Sequence, residues 1–374
     1  MSRQRSLIPE PLAELPWVVI LLVAAIGSFG LVVLYSAAGG SMRPWALPQG
    51  VRFFVFLVGA VMLSRVPLSL WKAGALPAYG ALVLALVGVE ALGKISGGSQ
   101  RWISLGFINL QPSELMKPAI VIVLARFYHA LPAGMTSTWR ALVPAGALVA
   151  VPMGLVLLQP DLGTALAIAF GGTVVMFLAG LPGKWFAGGA LAALLIAPLA
   201  YFFALHDYQR RRVTTFLDPE SDPLGAGYHI TQSKIAIGSG GIAGKGFGEG
   251  SQSHLDYLPE PHTDFVFATM AEEWGLVGGL LVLLVFGIVL RWGLTVARNA
   301  PDRFSKLLAA GMTATIFFYV AINLMMVMGL APVVGIPLPF MSHGGSSMMT
   351  NMICIGLLMM VERWSRRAGS TGTL

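Results

Sequence analysis

Apolar positions in this chain do not alternate with polar ones. They run on, in ten stretches near 16–37, 49–65, 72–93, 113–129, 140–158, 161–181, 184–205, 263–293, 304–331 and 345–363. A helix needs about 20 apolar residues to cross a hydrocarbon layer, and only helices or closed barrels satisfy their own backbone there. The pattern predicts an all-α polytopic membrane protein of about ten transmembrane helices, one domain over 1–374. The first run is too long for a removed signal peptide and lacks a small-residue cleavage pattern, so it reads as a span. Ten crossings put both termini on one side. Basic residues in short loops mark that side as cytoplasmic: Arg65, Lys72, Arg126, Arg140, Lys184, Arg298, Arg303 and Arg363 all fall on it. The segment 206–262, between the seventh and eighth helices, then faces outward as a long extracytoplasmic loop.

Composition sharpens this picture. The chain is 56% hydrophobic and 11% charged, with mean hydropathy +0.76, against about 25% charged for soluble domains. A net charge of +7 is scattered through loops, which suits membrane topology and not a nucleic-acid surface. The single cysteine, Cys354, excludes an internal disulfide or a Cys-rich metal site.

The outer segment is charged enough to lie at or beyond the lipid surface, and long loops of this kind are usually functional. A short amphipathic piece around Tyr228–Ile237 is expected along the interface. Residues 238–250 are glycine-rich but lack the spacing of a phosphate-binding Walker loop. They read as a flexible outward lid, or as backbone approaching a polar ligand closely. Arg210, Arg211 and Arg212, with Lys234 and Lys245, form a basic set suited to a diphosphate or, equally, to anionic lipid.

Ionisable residues inside spans are functional candidates by default. Glu114 and Lys117, three apart, neutralise each other on one helix face, as a structural pair or as part of a site. Asp161 follows Leu-Gln-Pro at a helix start, as Ser113 does, and is a cap or a site residue. Glu272 and Glu273 lie deep enough to be buried structural or proton-linked carboxylates. Asp264 stands at the outer end of a span, partly desolvated yet reachable from water. That is a place for a general base, and also for a charge that merely favours the helix dipole. Glu90 has no near sequence partner, and His254, His262 and His343 lack metal-ligand spacing.

Several segments together resemble the SEDS family (shape, elongation, division and sporulation) of bacterial membrane proteins. They are Gly98-Ser99-Gln100-Arg101-Trp102, Gln111-Pro112-Ser113-Glu114 with Lys117, Gln159-Pro160-Asp161-Leu162-Gly163, His262-Thr263-Asp264-Phe265, Ala271-Glu272-Glu273, and Pro337-Leu338-Pro339-Phe340-Met341-Ser342 before Gly344-Gly345-Ser346. The matches run in order along nearly the whole chain. The wording Phe107-Ile108-Asn109-Leu110-Gln111 and the short tails favour the elongation branch over the division branch. His343 stands where tyrosine is commoner, and Trp274 where leucine or phenylalanine is expected.

The resemblance implies a GT-C-like peptidoglycan glycosyltransferase of the inner membrane that polymerises lipid II on its periplasmic face. Asp264 maps onto the family's essential aspartate. Arg101, Glu114, Lys117, Asp161, His262, Glu273, Ser342 and Ser346 fall in its motifs as expected substrate-binding positions. Expected partners are lipid II, glycan on undecaprenyl diphosphate, a class B penicillin-binding protein, elongation-complex membrane proteins and membrane lipids, with no nucleic acid. A divalent cation, Mg2+ or Mn2+, is the one cofactor the chemistry invites, and no nucleotide is needed because the lipid diphosphate is already activated. A lipid II flippase and a non-catalytic scaffold are the rival readings; the flippase needs polar groups along a route through the bilayer.

Overall fold

Ten long helices coincide with the ten apolar runs. The computed structural model describes residues 14–92, 94–96, 99–104, 109–132, 134–203, 207–218, 225–255, 257–258 and 260–371. The long helices are α1 (Trp17–Ala37), α2 (Ala46–Leu63), α3 (Leu68–Leu92), α4 (Pro112–Ala130), α5 (Trp139–Leu158), α6 (Leu162–Leu178), α7 (Gly183–Phe203), α11 (Val266–Asn299), α12 (Arg303–Val327) and α13 (Gly345–Thr371). Eight of them are long and apolar enough to cross a membrane. Of the other two, α6 is apolar but only 17 residues long, and α4 carries Glu114, Lys117 and Arg126. Between α3 and α4 runs a small antiparallel sheet of β1 (Lys94–Ser96), β2 (Ser99–Ser104) and β3 (Asn109–Leu110), in that order. The outer segment holds α8 (Asp207–Leu217), α9 (Ala226–Ser239) and the single turn α10 (Ser251–His254).

The bundle is organised around α4 and α12. These two pack on each other, and both also pack on α6 and α13. The more polar of the long helices are therefore the inner ones. At the periphery large apolar side chains point outward, among them Phe54, Leu84, Leu194, Phe203 and Leu284. In lipid this carries no penalty, because hydrocarbon tails are as apolar as leucine. Helix α7 is the extreme case, with no part of its apolar window buried in protein.

One end of the bundle is cross-tied by charge. Glu14 accepts from Arg363 and Arg367, each at 3.0 Å, which brings the two ends of the described chain together. Burial acts to raise the Glu14 carboxyl, but Arg367 and Arg363 hold it below the ordinary glutamate value. Lys72 reaches Asp302 at 3.4 Å, and Arg303 donates to the Ala179 carbonyl at 2.9 Å. The loops expected on the terminal side thus do share one end.

The glycine-rich stretch corrects an expectation. It is tied down by hydrogen bonds, and its backbone closely approaches a helix. Helix α11 breaks at Gly275 (φ 63°, ψ −160°), and the stretch is stitched into the break. Lys245 N donates to the Glu272 carbonyl at 3.0 Å and Gly246 N to that of Glu273 at 3.1 Å. In return Leu276 N donates to the Gly241 carbonyl at 2.9 Å. At Gly244 (φ +83°) a Cβ would collide with the Glu273 carbonyl oxygen. At Gly241 (φ +56°) the space is open. Gly244→Ala is therefore expected to lose about 3 kcal/mol or more, from left-handed strain plus overpacking. Gly241→Ala should lose only the strain, about 1–2 kcal/mol. Paired melting curves check this, and equal losses would contradict the stitching. The expected interfacial piece is likewise packed: α9 lies on α11 and α12, with Ile230, Ser233 and Ala236 buried.

Candidate active site

Asp264 precedes α11 and is half-buried. Three other elements grip the carbonyls of the turn that presents it. Thr269 Oγ1, one turn into α11, donates to the Pro261 carbonyl at 3.2 Å. His343 N, in the loop before α13, donates to the His262 carbonyl at 2.8 Å. Asn323 Nδ2 of α12 donates to the Asp264 carbonyl at 2.8 Å and to that of Ile336 at 2.7 Å. The backbone beneath the carboxylate is thus fixed by α11, α12 and the 328–344 loop. That loop also closes on the side chain: a Cβ at Gly335 would stand 3.5 Å from Asp264 Oδ2.

One turn deeper on α12, Tyr319 lies below Asn323 on the same face, since residues four apart are neighbours. Its hydroxyl donates to Glu114 Oε2 and accepts from Lys117 Nζ at 2.7 Å. Lys117 also donates to Glu114 Oε1 at 2.6 Å, and its ammonium lies 4.5 Å from the Tyr319 ring centroid. The Lys117 side chain is 1% exposed. All of its charge is spent inside this triad, and none is turned toward a ligand. Thr350 of α13 bonds the Glu114 carbonyl at 3.1 Å, so three helices share the knot.

Asp161 proves to be a cap with a second partner. It accepts from Thr164 N at 3.1 Å, closing the start of α6, and from Gln111 Nε2 at 3.2 Å. The next turn abuts the same loop: a Cβ on Gly163 would stand 2.8 Å from the Val334 carbonyl oxygen. The residues 334–336 therefore lie between the start of α6 and Asp264.

On the far side of that loop, one face of α2 holds it. Trp45 stacks on His262 with centroids 4.0 Å apart and planes 7° from parallel. Gln49 Nε2 donates to the Ser342 carbonyl at 2.6 Å, and Ser342 Oγ accepts from Leu338 N at 2.8 Å. Arg52 Nη1 donates to His343 Nε2 at 3.3 Å. Burial first, then the Arg52 charge and His262, depress His343 to about 4. Burial also lowers His262, against a raising influence from Glu260. Both imidazoles are neutral at neutral pH. Ser346 is buried in the first turn of α13.

Other expected site residues go elsewhere. Lys245 pairs with the buried Glu272 at 2.6 Å, and Glu273 bonds Ser36 and faces His254 at 3.5 Å. These two clusters fasten the glycine-rich stretch, about nine residues of helix rise below Asp264. Arg210 donates to the Phe202 carbonyl at 2.9 Å, closing the end of α7. Lys234 lies across Gly329, on a helix whose His229 ring sits 6.0 Å from that of Phe265. The side chains of Arg101, on β2, Arg211, on α8, and Glu90 lie outside what is described. Tyr319, Asn323 and Gln49 carry no signal among the sequence motifs, and Gln111 stands there only as part of one. No group of three His, Cys, Asp or Glu among the described residues fits a metal ion. A resident ion held by protein donors alone would need such a group, whereas Mg2+ more often sits between one or two carboxylates and the phosphates of a bound substrate.

The profile of the family described as "Cell cycle protein", covering FtsW, RodA and SpoVE, matches residues 16–367. The chain belongs to the SEDS family. Among its SEDS relatives, "Peptidoglycan glycosyltransferase MrdB" of Escherichia coli K12 is 43% identical over 347 residues, 92% of each chain. A solved structure described as "Structural coordination of polymerization and crosslinking by a peptidoglycan synthase complex" has a TM-score of 0.81 at 34% identity, covering 94% of this chain and 98% of that one. The rod shape determining protein RodA of Thermus thermophilus gives 0.70 at 31% identity, covering 93% and 97%. Together with the apolar helices, SEDS membership makes this an integral membrane protein.

Proposed function

We propose that this chain, a peptidoglycan glycosyltransferase of the elongation branch, polymerises lipid II with Asp264 as the general base. The growing strand on undecaprenyl diphosphate is the donor. The 4-hydroxyl of the N-acetylglucosamine of an incoming lipid II attacks the donor's anomeric carbon, with inversion. The new oxygen–carbon bond forms as the bond to diphosphate breaks, and the polyprenyl diphosphate leaves with the electron pair. The hydroxyl proton passes to the Asp264 carboxylate. The leaving charge is met by a cation on the same rim, in this reading the exposed Lys234 and not Lys117, whose ammonium is enclosed by Glu114 and Tyr319. Both termini are cytoplasmic and the Asp264 rim is periplasmic in this reading, with all ten long helices crossing. A class B penicillin-binding protein crosslinks the product beside it, within the elongation complex.

The observation that carries this reading is a half-buried carboxylate whose backbone is held by three elements, directly above a neutralised and rigid ionic core. The flippase reading needs polar groups all the way across. Among the described residues, the buried acidic and basic side chains Glu114, Lys117, Asp161, Glu272 and Glu273 all belong to the half of the bundle that carries Asp264. The test is the purified chain, with and without a class B penicillin-binding protein, on labelled lipid II in detergent. Long glycan should appear, and it cannot come from transport, since detergent leaves no second leaflet. Translocation in liposomes without any polymer in detergent would overturn the proposal.

A further inference from the structure

Arg52 is the only ionisable residue of α2, and it lies about two turns inside that helix. Several other cations are met by carboxylates, Lys117 by Glu114, Lys245 by Glu272, Lys72 by Asp302, and Arg363 and Arg367 by Glu14; Arg303 is met by carbonyls at helix ends, and Lys234 lies exposed on the outer segment. Among the described residues, no carboxylate lies within 4.0 Å of Arg52. Its partner is His343, through a ring nitrogen that can only accept from a guanidinium and so carries no charge to offset it. A charge inside a span is costly unless something of opposite sign meets it. Arg52 is half-buried, not sealed, so the missing counter-charge can arrive from outside.

Its position says which anion. Trp45, the residue before α2, and Gln49 and Arg52 within it follow helical spacing on one side, the side that meets His262, Ser342 and His343. Asp264 follows His262 by two residues. The guanidinium is thus separated from the base by two imidazoles, with centroids 6.0 Å apart, and two residues of chain. In the polymerase reading two diphosphates are present. The donor's leaves from the carbon under attack, next to the base. The acceptor's hangs one disaccharide away from the attacking hydroxyl, and Arg52 stands apart from the base, beyond both imidazoles.

We propose that Arg52 binds the diphosphate of the acceptor lipid-linked disaccharide, with His343 as the positioning residue that orients its guanidinium. Guanidinium matches paired phosphate oxygens with parallel hydrogen bonds, which an ammonium cannot do. The inference rests on the polymerase reading, and its test is arranged to separate the two. With the full chain and its penicillin-binding partner, at saturating lipid-linked glycan, Arg52→Gln should raise KM for lipid II about tenfold, the usual weight of one charge-assisted hydrogen bond. The kcat should stay within about twofold, and Arg52→Lys should recover part of the loss. Separately, undecaprenyl diphosphate is titrated onto each protein in phosphatidylcholine nanodiscs, on the parent and on an Asp264→Asn background. Arg52→Gln should weaken binding about tenfold on both. Unchanged KM and unchanged binding overturn the assignment. So does a loss seen only in phosphatidylglycerol discs, which would mark Arg52 as a contact for bilayer headgroups. If the Asp264→Asn protein polymerises normally, the base reading fails, and the binding titration still judges Arg52.

Discussion

Asp264→Asn is expected to lower the rate of lipid II polymerisation about 10²–10⁴-fold, the range a positioned general base contributes. The substitution removes the carboxylate's charge and basicity and keeps its shape. The contact that fixes this residue's backbone runs from Asn323 to its carbonyl, which survives any side chain. The melting temperature should move little, since the residue is half-buried and an isosteric exchange there falls at or below the usual cost of about 1 kcal/mol for a point change. KM for lipid II should also hold, because the effect falls on the transition state and not on ground-state binding. The competing reading is that the carboxylate only complements the α11 dipole. That reading predicts the reverse: about 0.3–1 kcal/mol of stability lost and a nearly parental rate. Turnover and melting measured on one preparation decide between them, and parental turnover would sink the base assignment.

What was legible in the sequence follows from what lipid demands. Hydrocarbon imposes a length and forbids unpaired backbone, so the ten runs announce themselves and the helices fall where the runs do. The strands Lys94–Ser96, Ser99–Ser104 and Asn109–Leu110 are too short to display alternation. The break at Gly275 is hidden because helix continues on both sides and glycine is common within membrane helices; what defines it is the backbone of residues 241–246, a partner distant in sequence. For the same reason glycines that fit against a helix looked like a lid. In the site, Asp264, Glu114 and Lys117 stand out as ionisable groups in apolar surroundings. Tyr319 and Asn323 do not, although their four-residue spacing within the run 304–331 was a usable signal: polar side chains inside a span bond to something. Arg210 and Lys245 read as ligands for phosphate because composition shows a charge and not its partner.

Lys117→Met should be the most destabilising single change in the chain, and it separates a structural Lys117 from a substrate-binding one. Removing the ammonium leaves Glu114 charged or forced to protonate in a core where its side chain is 9% exposed, facing the fully buried Tyr319 hydroxyl. Breaking a buried pair from one side costs about 3–5 kcal/mol, whereas replacing both partners by groups of similar volume is often neutral. Lys117→Met combined with Glu114→Gln is therefore expected to regain most of the loss, with a coupling of about 1–3 kcal/mol in the double-mutant cycle. Activity then carries the argument further. The Lys117 ammonium is enclosed by Glu114 and Tyr319, so polymerisation should return in the double variant in step with its melting temperature. A double variant that melts like the parent yet cannot polymerise lipid II would mean that Lys117 leaves the triad during turnover to meet the substrate. The static knot beneath Asp264 would then be one state of a moving part.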